Sequence, residues 1–128
     1  AVGAVLAAGA RCVLVTGSAQ PSVLDRLDRD YPQAFGIRVT GFDVQHGKPH
    51  PEPFLKGLDK AGIEPWQALA VDNAPLGVQS ASDAGIFTIG VRTGPLRKGV
   101  LLEAGADIEL DSMNECAKVL KWIFSDYE

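Results

Sequence analysis

Residues 68–91 read ALAVDNAPLGVQSASDAGIFTIGV, and this stretch decides the fold. Residues 68–72 form a short apolar run, a helical segment follows between Pro75 and Gly85, and residues 86–91 form a second apolar run. Short apolar runs are typical of strands buried on both faces of a parallel sheet, and proline and glycine mark helix starts and ends. The stretch therefore predicts a β-α-β unit.

The flanking sequence repeats the same alternation. Further strands are predicted at residues 12–16, 37–41 and 107–110, and further helices at 21–30, from Pro51 to Gly62, and after a Ser112–Glu115 capping box. In the helix after Pro51, four apolar residues are predicted to share one face: Phe54, Leu55, Leu58 and Ala61. Strands that alternate with helices of this length predict an α/β fold, a three-layer doubly wound parallel sheet of the Rossmann type.

Composition limits the classes of function. The chain has 128 residues, the length of about one domain. Of these residues 46% are apolar, which is enough for a sizeable core. A net charge of −4 argues against a nucleic-acid partner, and no apolar run is long enough to span a membrane. Cys12 and Cys116 lie far apart and suggest neither a disulfide framework nor a zinc site, so we expect a reducing cytoplasm.

Polar residues follow the first predicted strand at the edge where such sheets bind ligands. Thr16, Gly17 and Ser18 stand there, and a hydroxyl with accessible backbone N–H groups can bind an anion. An ordinary turn with a helix cap would use the same residue types. The triplet is a candidate phosphate site.

Lys48 follows the second predicted strand (37–41), and the pair Asp72-Asn73 ends the third (68–72). A lysine can bind phosphate and restrain a neighbouring carboxylate, although a solvated lysine is the simpler interpretation. Carboxylate and amide oxygens suit Mg²⁺, although such a pair also serves as a turn or cap. Because a parallel sheet brings all these groups to one edge, together they outline a phosphoryl-transfer site.

His46 and His50 are predicted to be hydrogen-bonded surface residues rather than general bases.

Two other protein classes share part of this pattern. The run VLVTGS is similar to the start of a short-chain dehydrogenase, but Ala19, Gln20 and Pro21 follow where a dinucleotide turn needs glycines. A phosphorelay receiver also has a threonine and then Lys-Pro at successive strand ends. The later strands and the motif at Asp72 count against a receiver.

Three stretches resemble motifs of one family in the right order. Residues 13–27 (VLVTGSAQPSVLDRL), 47–58 (GKPHPEPFLKGL) and 71–91 (VDNAPLGVQSASDAGIFTIGV) resemble the second, third and fourth motifs of haloacid dehalogenase superfamily phosphatases. The resemblance is closest to the β-phosphoglucomutase-like branch and covers nearly the whole chain.

The resemblance implies a Mg²⁺-dependent hydrolase that acts through an aspartyl-phosphate on a small phosphorylated metabolite or pyrophosphate. Thr16 would bind the transferring phosphoryl group, helped by the N–H groups of Gly17 and Ser18. Lys48 would hold the phosphate and the charge of the nucleophile. Asp72 and Asn73 would complete the magnesium shell, directly or through water.

The chain departs from the family pattern in two ways. The family usually has Glu-Asp where this chain has Asp72-Asn73, so a neutral amide replaces an acid. No D-x-D-G-T/V nucleophile motif occurs. We therefore expect residues 1–128 to be the C-terminal portion of the core, without its cap. The central strand and both catalytic aspartates would come from an N-terminal segment of the same parent protein, and the chain alone would be inactive. The alternative is a non-catalytic remnant that only binds phosphate.

Overall fold

The computed structural model describes residues 12–17 and 37–125. Its strands are β1 (Val13–Val15), β2 (Ile37–Val39), β3 (Leu69–Asp72), β4 (Phe87–Val91) and β5 (Ile108–Leu110). Its helices are α1 (Glu52–Ala61), α2 (Pro75–Asp83), α3 (Val100–Glu103) and α4 (Met113–Ser125). The elements predicted within these ranges are confirmed, whereas α3 and a 3₁₀ turn at Pro65–Gln67 were not predicted. The predicted helix 21–30 and Ser18 lie outside the described residues.

The strands form two parallel groups. β1 pairs with β2, and β3, β4 and β5 pair in that order. Within the described residues β1 and β3 are not hydrogen-bonded to each other, and Val71 in β3 is 38% exposed. Such exposure is unusual for the interior of a parallel sheet, which is normally covered on both faces. The space between β1 and β3 is where the sequence predicts the family's central strand.

Helices cover both faces of the strands. On one face, α1 packs against β1 and β2, α2 packs against β3 and β4, and the contact between α1 and α2 joins the two groups of strands. The buried cluster there contains Val15, Phe54, Leu58, Ala70, Ala81, Ala84 and Ile86. On the other face, Ile89 and Val91 pack against Cys116 and Leu120 of α4. The predicted three-layer, doubly wound architecture is confirmed.

Helix α1 approaches β1 closely because its contact point is a glycine. A Cβ at Gly57 would lie 3.4 Å from the Val15 side chain, already at van der Waals contact, so a side chain larger than that of alanine would push the helix outward. Phe54 and Leu58 are buried, but Leu55 is 45% exposed. The prediction that Leu55 shares their face is wrong, because it lies 100° around the helix from Phe54. The helix ends at Gly62, where φ is 70°.

Helix α4 begins with half of the predicted capping box. The Ser112 hydroxyl accepts a hydrogen bond from the Glu115 N–H at 3.2 Å. The Glu115 carboxylate accepts from the N–H of Asp111 at 2.9 Å, one residue before the expected donor. In the part of the chain that the structure describes, no helix is long and apolar enough to cross a membrane.

Candidate functional site

Lys48 links the carboxyl ends of β1 and β3. Its Nζ donates to the carbonyl oxygen of Val15 at 3.3 Å and to Oδ2 of Asp72 at 2.9 Å. The Lys48 and Asp72 side chains are only 22% and 11% exposed, so solvent screens this ion pair less than a surface pair. The Phe54 ring lies 5.3 Å from Nζ and covers one side of the ammonium. The predicted lysine is thus held at the sheet edge rather than solvated.

Asp72 is held from two sides. Its Oδ1 accepts the N–H of Ala74 at 3.0 Å, at the start of α2, while Oδ2 receives Lys48. The carboxylate also lies directly against Gly77. Because both oxygens already accept protein donors, the geometry fits Asp72 as the partner that positions Lys48, with lone pairs remaining for water.

Gly77 gives the Asp72 carboxylate its place. A Cβ at position 77 would lie 2.1 Å from Asp72 Oδ2, far inside contact distance. We expect Gly77→Ala to displace the carboxylate from Lys48 and to lower the free energy of unfolding by about 2 kcal/mol. Overpacking costs up to about 3 kcal/mol and the gain in helix propensity returns about 1 kcal/mol.

Thermal denaturation would measure this effect, with Gly94→Ala as the control because a Cβ there would meet nothing within 4 Å. Equal melting temperatures for the two variants would contradict the expectation.

Asn73 directs its side chain toward the loop after β4. Its Nδ2 donates to Oγ1 of Thr93 at 2.9 Å, and both residues are exposed. The structure gives the Asn73 amide oxygen no protein donor among the described residues. Over the same residues, no three His, Cys, Asp or Glu side chains gather as a metal-binding group. A metal at this edge would therefore need ligands beyond Asp72 and Asn73.

The end of β1 meets the end of β2. The Thr16 N–H donates to the Val39 carbonyl at 2.9 Å and extends the parallel ladder by one residue. A Cβ at Gly41 would lie 2.9 Å from the Gly17 carbonyl oxygen, so the close approach of these two loops requires glycine at position 41. Thr16 and Gly17 thus follow β1 directly, next to the Val15 carbonyl that Lys48 contacts.

The loop that carries Lys48 is fixed by its own hydrogen bonds. Glu52 Oε2 accepts the N–H groups of Gln45 and His46 at 2.7 and 2.8 Å, and those of His46 and then Gln45 lower the pKa of the Glu52 carboxyl. His50 Nδ1 accepts the Glu52 N–H at 3.0 Å, and the buried Ser80 hydroxyl donates to the His50 carbonyl at 2.6 Å. The two histidine rings stack at 4.8 Å. These contacts give the histidines a structural role.

The structure brings Thr16, Gly17, Lys48, Asp72 and Asn73 to one sheet edge, as predicted from their positions after strands. Two further residues were missed. Thr93 lies two residues after the end of β4, so the same rule could have found it. Ser80 lies in the middle of α2, and no feature of the sequence marks it as a contact of the Lys48 loop.

Comparison with known proteins places this chain in a family. The profile described as "Haloacid dehalogenase-like hydrolase" matches residues 2–91. The phosphoglycolate phosphatase of Salmonella typhi is 33% identical over 126 residues, which are 98% of this chain and 50% of that protein. The phosphorylated carbohydrates phosphatase of Thermotoga maritima is 35% identical over 113 residues, 87% of this chain and 52% of that protein. The chain thus spans about half the length of the curated relatives that it matches.

Solved structures show the same fold. A candidate β-phosphoglucomutase of Bacteroides vulgatus superposes with a TM-score of 0.85 at 45% identity, over 94% of this chain and 50% of that one. CbbY of Rhodobacter sphaeroides, determined in complex with phosphate, superposes with a TM-score of 0.79 at 26% identity, over 89% of this chain and 52% of that one.

Proposed function

Because this chain belongs to the haloacid dehalogenase-like hydrolase family, we propose that its sheet edge binds the phosphate and metal of a Mg²⁺-dependent phosphohydrolase. The predicted membership in the β-phosphoglucomutase-like branch is confirmed by the relatives and the solved structures. The names of the relatives favour a small phosphorylated metabolite as substrate. Pyrophosphate is the second candidate, because Asn73 departs from the usual acid.

The position of Lys48 carries the proposal. Its ammonium lies between the ends of β1 and β3 and contacts both Val15 and Asp72. A lysine ammonium has three donors, and these two contacts leave one for a phosphate oxygen. A fixed cation in a partly buried site stabilises developing negative charge without having to reorganise during the reaction.

The loop after β1 supplies the other contacts to phosphate. In this proposal the Thr16 hydroxyl donates to a phosphoryl oxygen, and the N–H groups of Gly17 and Ser18 donate to the same group. The Lys48 ammonium, on the opposite side of the phosphoryl group, balances the negative charge of that group. The site then holds the phosphoryl group by hydroxyl, backbone and ammonium donors, with no basic surface patch required.

The nucleophile is proposed to come from a segment that fills the space between β1 and β3. Among the described residues, one edge of each of these strands is unpaired, and Val71 in β3 is exposed; both observations support that placement. One aspartate of the segment would attack phosphorus and form an aspartyl-phosphate, while a second would protonate the leaving oxygen. Water would then release phosphate. This chain together with that segment would form the complete protein.

Asn73 and Asp72 fit a magnesium site by the chemistry of their donors. Both offer hard oxygen atoms, and the amide oxygen of Asn73 accepts no protein hydrogen bond among the described residues. Bound Mg²⁺ would neutralise charge on the phosphoryl group.

The free thiols of Cys12 and Cys116 favour a reducing cytoplasm as the location.

Replacing Asn73 by alanine in the complete protein tests the metal assignment. We expect the Mg²⁺ concentration for half-maximal activity to rise at least about 10-fold, because a ligand is lost and not merely reoriented. The melting temperature should change little, since the side chain is exposed. Asn114→Ala, an exposed asparagine in α4, is the control. An unchanged Mg²⁺ requirement in Asn73→Ala would mean that the residue serves only as a turn or cap.

A further inference from the structure

An asparagine ligand has an orientation problem that an aspartate does not have. Its amide oxygen can bind a cation, whereas its NH₂ group, of nearly the same size, carries positive partial charge and cannot. Rotation of the terminal amide by half a turn exchanges the two groups. A site that uses Asn73 in place of an acid therefore needs something to select the rotamer in which the oxygen faces the metal.

Thr93 is placed to make that selection. Its Oγ1 accepts a hydrogen bond from Asn73 Nδ2 at 2.9 Å. Because the NH₂ group of the amide faces Thr93, the amide oxygen Oδ1 lies on the other side of the side chain, away from Thr93. In the reversed rotamer the Thr93 hydroxyl would have to rotate and donate to Oδ1, and the NH₂ group rather than the oxygen would then lie on the opposite side.

The residue before Thr93 fixes the position of its loop. The Arg92 N–H donates to the Leu110 carbonyl of β5 at 2.9 Å, and its guanidinium donates to the Leu96 carbonyl at 3.4 Å and pairs with the Asp111 carboxylate. The Arg92 side chain is only 18% exposed. Thr93 thus lies between Arg92, which is fixed at the end of β4, and the turn at Leu96, whose carbonyl contacts the Arg92 side chain.

We propose that Thr93 is a positioning residue that holds the Asn73 amide with its oxygen toward the Mg²⁺ site; this rests on the proposed function. The role exists only because position 73 is an amide. A carboxylate at position 73 would present an oxygen in either orientation, so it would not depend on Thr93.

Calorimetric titration of Mg²⁺ into the complete, metal-free protein without substrate tests the proposal. Thr93→Val removes the acceptor at nearly constant size, and Thr93→Ser keeps it. Each variant is compared with the parent protein. Thr93→Val is also introduced into the Asn73→Asp variant and compared with Asn73→Asp alone. A second readout is the pair of side-chain amide proton signals of Asn73 in ¹⁵N-labelled metal-free protein, identified by their loss in Asn73→Asp.

We expect Thr93→Val to raise the Kd for Mg²⁺ about 10-fold, the usual effect of losing a group that orients a ligand. In Thr93→Val the side-chain amide protons of Asn73 should exchange faster with solvent. Thr93→Ser should bind Mg²⁺ with the Kd of the parent. In the Asn73→Asp background, Thr93→Val should leave the Kd for Mg²⁺ unchanged. Unchanged Kd and amide signals in Thr93→Val would overturn the proposal, as would equal weakening in the Asn73→Asp background. If Asn73→Ala itself leaves the Kd unchanged, the magnesium assignment fails, and this inference fails with it.

Discussion

Replacing Lys48 by alanine in the complete protein is expected to lower kcat by at least about 100-fold, the usual effect of removing one preorganised electrostatic donor. The expectation follows from the way in which Lys48 is held. Contacts to Val15 and Asp72 fix its ammonium between two strand ends, and the Phe54 ring covers one side.

The effect should fall on turnover more than on folding. Steady-state kinetics with a phosphorylated metabolite would measure kcat, and thermal denaturation would show whether the Asp72 carboxylate, left without its partner, weakens the fold. Lys121→Ala, an exposed lysine in α4, is the matched control and should keep parental turnover. Near-normal kcat in a folded Lys48→Ala variant would remove Lys48 from the mechanism.

The fold was predictable because its strands are short apolar runs and its helices are bounded by proline and glycine. Helix α3 was missed because four residues are too few to show a helical period. Leu55 was placed on the wrong face because apolar spacing alone does not say where the apolar stripe of a helix ends.

The site was predictable as far as the rule that polar residues after parallel strands meet at one edge. That rule selected Thr16, Lys48 and Asp72. It could not supply the hydrogen bond from Ser80 to the His50 carbonyl, which joins residues 30 positions apart, or the fit of the Asp72 carboxylate against Gly77. Such contacts depend on the packing of α2 against the loop, which local sequence does not encode.

Purified chain of these 128 residues is expected to release no phosphate from phosphate esters or pyrophosphate, although it should still bind phosphate. The described residues can stabilise charge, but Thr16, Lys48 and Asn73 do not form a nucleophile with a paired base. Within the described part of the chain, β1 pairs only with β2 and β3 only with β4, so one edge of each strand is open to the proposed segment. Phosphate release should therefore appear only in the complete protein.

Two outcomes would count against this expectation. Turnover by the pure chain that is undiminished by Thr16→Ala and Lys48→Ala would contradict both the site and the need for a second segment. A complete protein that binds phosphate but never turns over would favour the alternative, a core kept for binding alone. An intact-mass measurement on the natural source protein would establish which polypeptide is to be assayed.

The location of a bound oxyanion would show whether Thr16, Gly17 and Lys48 form one phosphate site. A crystal of the protein soaked with tungstate, a heavy phosphate mimic, would reveal its position by anomalous scattering. We expect tungstate to lie beyond the end of β1, within hydrogen-bond distance of the Thr16 hydroxyl, the Gly17 N–H and the Lys48 ammonium. Tungstate bound elsewhere, with these three groups too far apart to share one anion in an intact sheet, would contradict this expectation.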